Sequence, residues 1–310
     1  MAIYVLQTKR GTETATPIEY SYLWMEQQGI KVFEYNKFFQ ENLDKNLVKK
    51  EDIVVFYITI PKSEEFDERV KLMNCKKILR TLDGYNTDGI PMRKCLVNAN
   101  RLNIDKIAYC HKNKNIDIFL KNSGLKYFYS PIGLDFSNKR TSFKKQTDLL
   151  ISGHLGHEPY PTRTRVYNYF SKIPSSKVKV ELLPHPGYEI KKSSHNIIGE
   201  NYISFLNNGW LATTCRGGWR NGLVLKYLEI GKANSLPVCD IPDAMPRDMQ
   251  ELVIKVDDTI DNSMMYDTIV NHLENKKMLI EKITEYQRLC EKYFNQEKLT
   301  KEFIINCKEI

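Results

Sequence analysis

Several features that would indicate a membrane, metal-binding or secreted protein are missing from the sequence. No apolar run approaches the roughly 20 residues that a bilayer-spanning helix needs. The seven cysteines are scattered, and none belongs to a Cys-x-x-Cys pair, so neither a zinc site nor a disulfide framework is indicated. The first ten residues have the pattern of a strand and not of a signal peptide. We therefore expect a cytoplasmic protein.

Motifs of other functional classes are also lacking. The segment Arg10-Gly-Thr-Glu-Thr-Ala15 after the first strand pattern lacks the second and third glycines of Gly-x-Gly-x-x-Gly, which leaves a dinucleotide-dependent oxidoreductase as an alternative only. No Asp-x-Asp triplet is present, and we expect neither a bound metal nor a cofactor. The net charge of +8 favours anionic partners, but the basic residues form no arm or basic helix. A basic α/β protein that binds nucleic acid or polysaccharide, or a transferase acting on DNA, stays an alternative.

Short apolar runs alternate with helical patterns along all 310 residues. This alternation predicts an α/β protein with parallel sheets, built as two Rossmann-like domains that face each other across a cleft. The polar segment 136–147 separates two sets of strand patterns and is predicted to be the linker. We assign residues 1–140 to an N-terminal domain, 147–290 to a C-terminal domain and 291–310 to a C-terminal helix.

The second set of strands begins with a run that ends in a glycine loop. Gly153 and His154 follow this strand, and Arg163 and Arg165 lie in the first turn of the next predicted helix. A cation in that turn is disfavoured by the helix dipole unless an anion lies nearby. Ligands of open α/β sheets bind at the carboxyl ends of the strands, so these four residues are candidate ligands of a phosphate.

A second glycine turn carries more cations. Arg216, Gly217 and Gly218 follow a strand and precede a predicted helix over 221–230. Backbone N–H groups of such a turn bind phosphate. Lys226 and Glu229 lie three residues apart on one face of that helix, where the carboxylate can accept hydrogen bonds from a ribose diol. An exposed ion pair is the simpler interpretation of this pair.

A stiff turn lies between these two motifs. His185 stands between two prolines at the end of a strand pattern, and Tyr188 follows it. The ring of either residue could line a pocket for a nucleotide base. A purely structural turn is the alternative.

The arrangement over residues 148–260 resembles the C-terminal half of GT-B glycosyltransferases, in particular those of group 1. The segment from Gly231 to Val238 is similar to the Gly-x-Pro-Val end of their donor motif, although five residues separate the glycine from Pro237. The first glutamate of their Glu-x(7)-Glu pattern is replaced by Asn221. The resemblance implies that Glu229 contacts ribose and that Gly217 and Gly218 contact the diphosphate.

The same resemblance implies that Lys226 or Arg163 neutralises phosphate charge and that the N-terminal domain holds the acceptor. An inverting enzyme needs a base, for which Asp83 is the first candidate and Glu13 the second. The alternative for Asp83 is a turn-forming aspartate. The expected protein is a metal-independent hexosyl- or pentosyltransferase that moves a sugar from a nucleoside-diphosphate sugar to a hydroxyl acceptor such as a glycan. The sequence does not indicate its oligomeric state.

Overall fold

A computed structural model of the chain describes residues 1–7, 24–57, 63–81, 92–112, 114–155, 160–184, 197, 199–216, 222–257 and 259–309. The chain divides into two compact units. Unit 1 comprises Met1–Ile132 and Gln296–Ile310, and unit 2 comprises Gly133–Asn295. Within the described ranges, no helix combines the length and the apolar character that crossing a bilayer requires.

The described part of unit 1 contains a parallel sheet of six strands in the order β2-β1-β3-β4-β5-β6. Their bounds are Ile3–Gln7 (β1), Lys31–Glu34 (β2), Ile53–Tyr57 (β3), Lys76–Thr81 (β4), Lys106–Tyr109 (β5) and Lys126–Tyr129 (β6). The order reverses between β1 and β3, and the crevice at such a reversal is where ligands of open α/β sheets bind.

Helices cover the sheet of unit 1 because alternate side chains of each strand point to opposite faces. One face packs Tyr4, Leu6 and Phe56 with helix residues, and the other packs Ile3, Val5 and Val55. The helices that the structure bounds before the chain leaves unit 1 are Tyr35–Gln40 (α1), Leu43–Asn46 (α2), Glu64–Leu72 (α3), Arg93–Arg101 (α4) and Lys114–Asn122 (α5).

Helix α3 shows how local sequence determines its start and its charge pattern. The Ser63 side chain accepts a hydrogen bond from the Phe66 backbone N–H at 3.2 Å and so caps the first turn. Acidic residues occupy the first turn and basic residues the last, which matches the helix dipole. The helix therefore begins and ends where its own residues favour it.

The described part of unit 2 contains a parallel sheet of five strands in the order β11-β10-β9-β7-β8. Their bounds are Thr147–Gly153 (β7), Val180–Pro184 (β8), Gly209–Thr213 (β9), Leu236–Cys239 (β10) and Ile254–Lys255 (β11). Counted from its own first strand, this sheet has the order of the first five strands of unit 1. The two units therefore share one topology, with the reversal of unit 2 between β7 and β9.

The bounded helices of unit 2 are Pro161–Phe170 (α6), Gly199–Asn207 (α7), Leu225–Lys232 (α8), Arg247–Gln250 (α9), Asn262–Glu274 (α10) and Lys276–Phe294 (α11). The chain then returns to unit 1 as Gln296–Lys308 (α12). Phe303 and Cys307 of α12 complete the cluster that contains Ile3, Val5 and Val55.

The two-domain α/β fold and the parallel sheets are confirmed. The segment 136–147 differs from its prediction as a linker, because the unit boundary falls at residue 132 and this segment belongs to unit 2. Lys145 Nζ donates to the carbonyls of Asn207, at 2.9 Å, and Asn234, at 2.6 Å. The Lys145 ammonium thus satisfies two carbonyl groups next to helix ends.

The unit ranges also differ from the predicted domains at the C-terminus. Residues 291–294 continue α11, which begins at residue 276. Residues 296–308 form a separate helix that joins unit 1 and is not an addition to unit 2. The physical reason is the apolar face of α12, whose buried residues include Leu299, Phe303 and Cys307.

Close packing between α8 and α11 gives a stability prediction. A Cβ at Gly231 would lie 2.6 Å from Cys290 Sγ and 3.3 Å from Tyr286 Cε1. We expect Gly231→Ala to lower the free energy of unfolding by about 1–3 kcal/mol, as overpacking does. Denaturant titration would measure the change.

A double-mutant cycle separates this contact from a general helix effect. Cys290→Ala removes the sulfur that the new methyl group meets, so the double variant should lose clearly less stability than the sum of the two single variants. Additive losses would show that the contact with Cys290 does not limit this position.

Candidate functional site

The candidate site lies at the carboxyl edge of the unit 2 sheet. Strand β7 ends at Gly153 and β9 at Thr213, on either side of the reversal in strand order. Cations from α6 and α8 reach this edge. Gly153, Arg163 and Lys226, which belong to two separate sequence motifs, come together here.

Gly153 is surrounded by two positively charged groups. Its φ is +99°, and a Cβ on it would lie 2.7 Å from Lys226 Nζ and 3.0 Å from Arg163 Nη1. A side chain would therefore be disfavoured both by the backbone conformation and by lack of space. Glycine at this position lets an ammonium and a guanidinium approach the strand end together.

Lys226 is held by the strand that precedes Gly153. Its Nζ donates to the Ser152 carbonyl at 2.8 Å and to Ser152 Oγ at 3.3 Å. The ammonium also lies 5.5 Å from the centre of the Tyr202 ring, and the Tyr202 hydroxyl is 2.7 Å from Ser152 Oγ. Lys226 therefore contacts the sheet and α7, and it makes no ion pair with Glu229 in the described part of the chain.

Arg163 is buried, with 3% of its surface exposed. Its Nη1 donates to the His154 carbonyl at 3.0 Å, and its guanidinium lies 4.6 Å from the centre of the Tyr160 ring. Its Nε is buried and has no hydrogen-bond partner among the residues the structure describes. Burying a donor without an acceptor costs about 1–3 kcal/mol, so this atom has an unmet requirement for an acceptor.

The two cations repel each other in a region with little solvent. Loss of solvation, and then the charge of Arg163, lower the pKa of Lys226. Glu229 offsets part of this effect. An anion bound between the two cations would stabilise both charges.

Glu229 lies one turn of α8 beyond Lys226. Burial raises the pKa of this carboxyl group, whereas the charges of Lys226 and Lys232 lower it. Among the described residues its carboxylate makes no hydrogen bond or ion pair. Its hydrogen-bonding capacity is therefore unused within the described fold.

Asp240 holds three parts of the site together. Its buried carboxylate accepts hydrogen bonds from the Arg216 backbone N–H at 2.7 Å, from Thr162 Oγ1 at 2.8 Å and from the Tyr227 hydroxyl at 3.1 Å. Arg216 Nε lies 3.6 Å from the same carboxylate. One side chain thus fixes the residues after β9, the start of α6 and the middle of α8.

Arg165 points to a different part of unit 2. Its Nη1 donates to the Asp257 carbonyl at 2.7 Å, its Nε to Asn262 Oδ1 at 3.1 Å and its Nη2 to the Ile260 carbonyl. These bonds join α6 to the segment before α10. All three nitrogen atoms of its guanidinium donate hydrogen bonds within unit 2, so Arg165 is not part of the candidate site.

His154 contributes its backbone carbonyl to Arg163, and its ring packs edge-on against Tyr160 with the ring centres 6.1 Å apart. The other predicted site residues lie outside the described part of the chain. They are Glu13, Asp83, His185, Tyr188, Gly217 and Gly218.

Sequence reasoning did not select three residues that shape the site: Ser152, Tyr202 and Asp240. Asp240 has a sequence signal, since it directly follows a buried strand at the carboxyl edge. Tyr202 has none, because its contact with Ser152 joins positions 50 residues apart. Such a contact depends on the packing of α7 against the sheet.

No family model and no curated protein sequence matches the chain. Solved structures do resemble it. HepE from Anabaena in complex with UDP-glucose has a TM-score of 0.58 at 10% identity, covering 100% of both chains. The Escherichia coli trehalose-6-phosphate protein bound to UDP-2-fluoroglucose has a TM-score of 0.67 at 11% identity, covering 100% of this chain and 99% of the other.

A UDP-forming α,α-trehalose-phosphate synthase from Burkholderia xenovorans has a TM-score of 0.57 at 9% identity, with 100% of this chain and 99% of the other covered. At such identities the similarity establishes the fold. The chain has the GT-B glycosyltransferase fold, and the resemblance expected from its C-terminal half is confirmed at that level.

The crowding at Gly153 gives a second prediction. We expect Gly153→Ala to displace Lys226 or Arg163 and to lower the free energy of unfolding by more than the roughly 1–2 kcal/mol that a left-handed non-glycine residue costs. Gly124→Ala is the matched control, because Gly124 has a φ of +73° but no atom within 4 Å of the added Cβ. Equal losses of stability in the two variants would contradict the steric role of the cations.

Proposed function

We propose that the protein is a glycosyltransferase that moves a sugar from a nucleoside-diphosphate sugar to a hydroxyl acceptor, with the donor bound by unit 2. The observation that carries this proposal is the convergence of Arg163 and Lys226 on Gly153 at the strand reversal. Two cations that form no ion pair with a described carboxylate suit a diphosphate. The GT-B fold supports the same reaction class.

The proposed role of Arg163 and Lys226 is to bind the diphosphate and to stabilise the negative charge that grows on it as the sugar leaves. Such fixed charges stabilise a transition state without having to reorganise. Because these side chains supply positive charge at the leaving group, the proposed reaction does not require a metal ion. The backbone of Gly217 and Gly218 is proposed to add donors to the same diphosphate.

Glu229 is proposed to accept hydrogen bonds from the ribose hydroxyls. It lies three residues beyond Lys226 on α8, as the span from a diphosphate to its ribose requires, and it has no other hydrogen-bond partner among the described residues. His185 and Tyr188 are proposed to line the base pocket. Asp83, or failing that Glu13, is proposed as the base if the reaction inverts the sugar.

A uridine donor is the first to test. HepE was solved with UDP-glucose and the Escherichia coli protein with UDP-2-fluoroglucose. By analogy we propose a UDP-hexose as donor and a glycan or another hydroxyl compound, bound by unit 1, as acceptor. This choice rests on shared fold, so the donor test includes other bases.

A thermal-shift panel tests the donor assignment. UDP, GDP, ADP, dTDP, CMP and their sugars are compared with NADH, and we expect one nucleoside-diphosphate sugar to raise the melting temperature. A ligand at one hundred times its dissociation constant stabilises the fold by about 2.7 kcal/mol. No shift with any sugar nucleotide, or a shift with NADH alone, would contradict the proposal.

Substitutions then assign the residues. Lys226→Met and Arg163→Met should reduce donor affinity by about tenfold or more, the usual scale for a charge-assisted bond, and Glu229→Gln should reduce it for nucleotides but not for pyrophosphate. Lys255→Met and Glu251→Gln are controls, because both side chains are exposed in the same unit. Calorimetric titration measures each affinity; an unchanged affinity in Lys226→Met would remove Lys226 from the site.

A further inference from the structure

Three side chains form a row at the carboxyl end of the unit 1 sheet. The parallel register pairs Leu6 with Phe56 and Tyr57 with Arg80, which places Gln7 beside Tyr57 at the end of β1. Gln7 shares a face of the sheet with Val5, and Arg80 shares the same face with Ile78. Gln7 and Tyr57 therefore flank the strand reversal between β1 and β3, and Arg80 is the next residue in the row.

Arg80 is a buried cation that makes no hydrogen bond to the residues the structure describes. It is 3% exposed, and its guanidinium lies between two rings, 4.9 Å from the centre of Tyr57 and 4.7 Å from that of Phe303. Its Nε is buried and has no acceptor among the described residues. In the described part of unit 1 no carboxylate forms an ion pair with it, whereas Arg69 pairs with Asp44.

Gln7 also carries an unsatisfied donor. It is 2% exposed, and its Nε2 is buried without an acceptor in the described part of the chain. Two unsatisfied donors therefore lie on one face at the ends of strands β1 and β4. In a folded protein such atoms are few, and each one points to a cost that another interaction offsets.

The two rings do not balance the charge of Arg80. Even a desolvated cation–π contact stabilises a cation by less than the cost of burying an ion. Cys307 is close enough to interact with Arg80, but burial raises the pKa of this thiol to about 12, so it is neutral at physiological pH. Within the described residues the positive charge therefore has no counter-charge.

We propose that Arg80 and Gln7 bind an anionic group, a carboxylate or a phosphate ester, carried by the acceptor of the transferase. A guanidinium offers parallel donors to either group, and an amide N–H adds another. This inference rests on the proposed function, because only that function requires an acceptor. It adds the chemical class of the acceptor: a hydroxyl compound with a negative charge.

The full-length protein is titrated by calorimetry with two matched pairs of probes, glucuronate against glucose and glycerol 3-phosphate against glycerol. We expect at least one anionic probe to bind about tenfold or more tightly than its neutral counterpart. The pair that responds distinguishes a carboxylate from a phosphate. Equal binding within both pairs, or no saturable binding of either anion, would overturn the inference.

Variants then test whether Arg80 binds the anion. Arg80→Met should abolish the preference for the anionic probe, and Arg80→Lys should retain part of it, since charge is kept but the paired donors are lost. Arg69→Met, the guanidinium control in unit 1, should destabilise the protein by leaving Asp44 unpaired without changing the preference. A preference that persists in Arg80→Met would overturn the inference.

Gln7→Leu provides a second test that does not depend on whether the Arg80 variants fold. Replacing an unsatisfied buried amide by an apolar group should leave stability unchanged or raise it, while anion affinity falls. A purely structural glutamine would give the opposite result, a loss of stability with unchanged affinity. The donor panel separates the two proposals: a UDP-sugar shift without anion binding contradicts only this inference, whereas no sugar-nucleotide shift contradicts the proposed function.

Discussion

The repulsion between Arg163 and Lys226 is the constraint that organises unit 2. Two like charges beside one glycine are stable only if each is held from another side. Ser152 holds the ammonium through its carbonyl and hydroxyl, and Tyr202 supports that hydroxyl. The His154 carbonyl and the Tyr160 ring hold the guanidinium. The fold itself therefore holds the two positive charges close together, and groups held in this way are preorganised.

Positions of whole elements follow from that constraint. Lys226 on α8 contacts Ser152 of the sheet, and Gly231 on the same helix allows α8 to pack closely against Cys290 of α11. The Tyr286 hydroxyl donates to the Tyr227 carbonyl at 3.2 Å, which adds a second link between the two helices. The Asp240 carboxylate then ties α8 to α6 and to the residues after β9. The contacts of α8 with α11 and with Asp240 thus help to position Lys226 relative to Arg163.

The two units have the same strand order but carry different side chains at their strand ends. Their strand orders coincide over five strands, and both place polar side chains at the reversal. Unit 2 supplies one cation from each of two helices, Arg163 and Lys226, and a carboxylate, Glu229, one turn further along α8. Unit 1 supplies a row of donors, two of which have no acceptor among the described residues. A shared framework therefore does not imply shared ligands, since the side chains at the strand ends differ.

Much of the fold was predictable because strands such as β1, β3 and β10 are short apolar runs that are fully buried. Gly153, Arg163 and Lys226 come together because carboxyl ends of parallel strands meet at one edge, and their role as ligands stays a prediction. Arg165 could not be distinguished from Arg163 by sequence: two residues along a helix turn the side chain by about 200°, but the sequence does not show which side faces the strand end. The helix expected over 221–230 is bounded at Leu225–Lys232, which places Lys226 in its first turn.

Contacts between distant positions were beyond sequence reasoning, because they depend on how elements pack. The short helix α1 has only six residues, too few for a periodic pattern to stand out. Tyr202 and Gln7 acquire their importance from neighbours that are far away along the chain. Arg80 likewise looks like an ordinary strand residue until Phe303, more than two hundred positions later, is seen against it.

The return of α12 to unit 1 bears on how the chain folds as it is synthesised. Unit 2 is continuous in sequence, so it can form its core as soon as its last residue leaves the ribosome. Unit 1 is interrupted, and one face of its sheet lacks Phe303 and Cys307 until residues 296–308 are made. During that interval the strands translated first expose an apolar face, a state in which nascent chains are prone to aggregate. The unit whose synthesis starts first is therefore the one that is completed last.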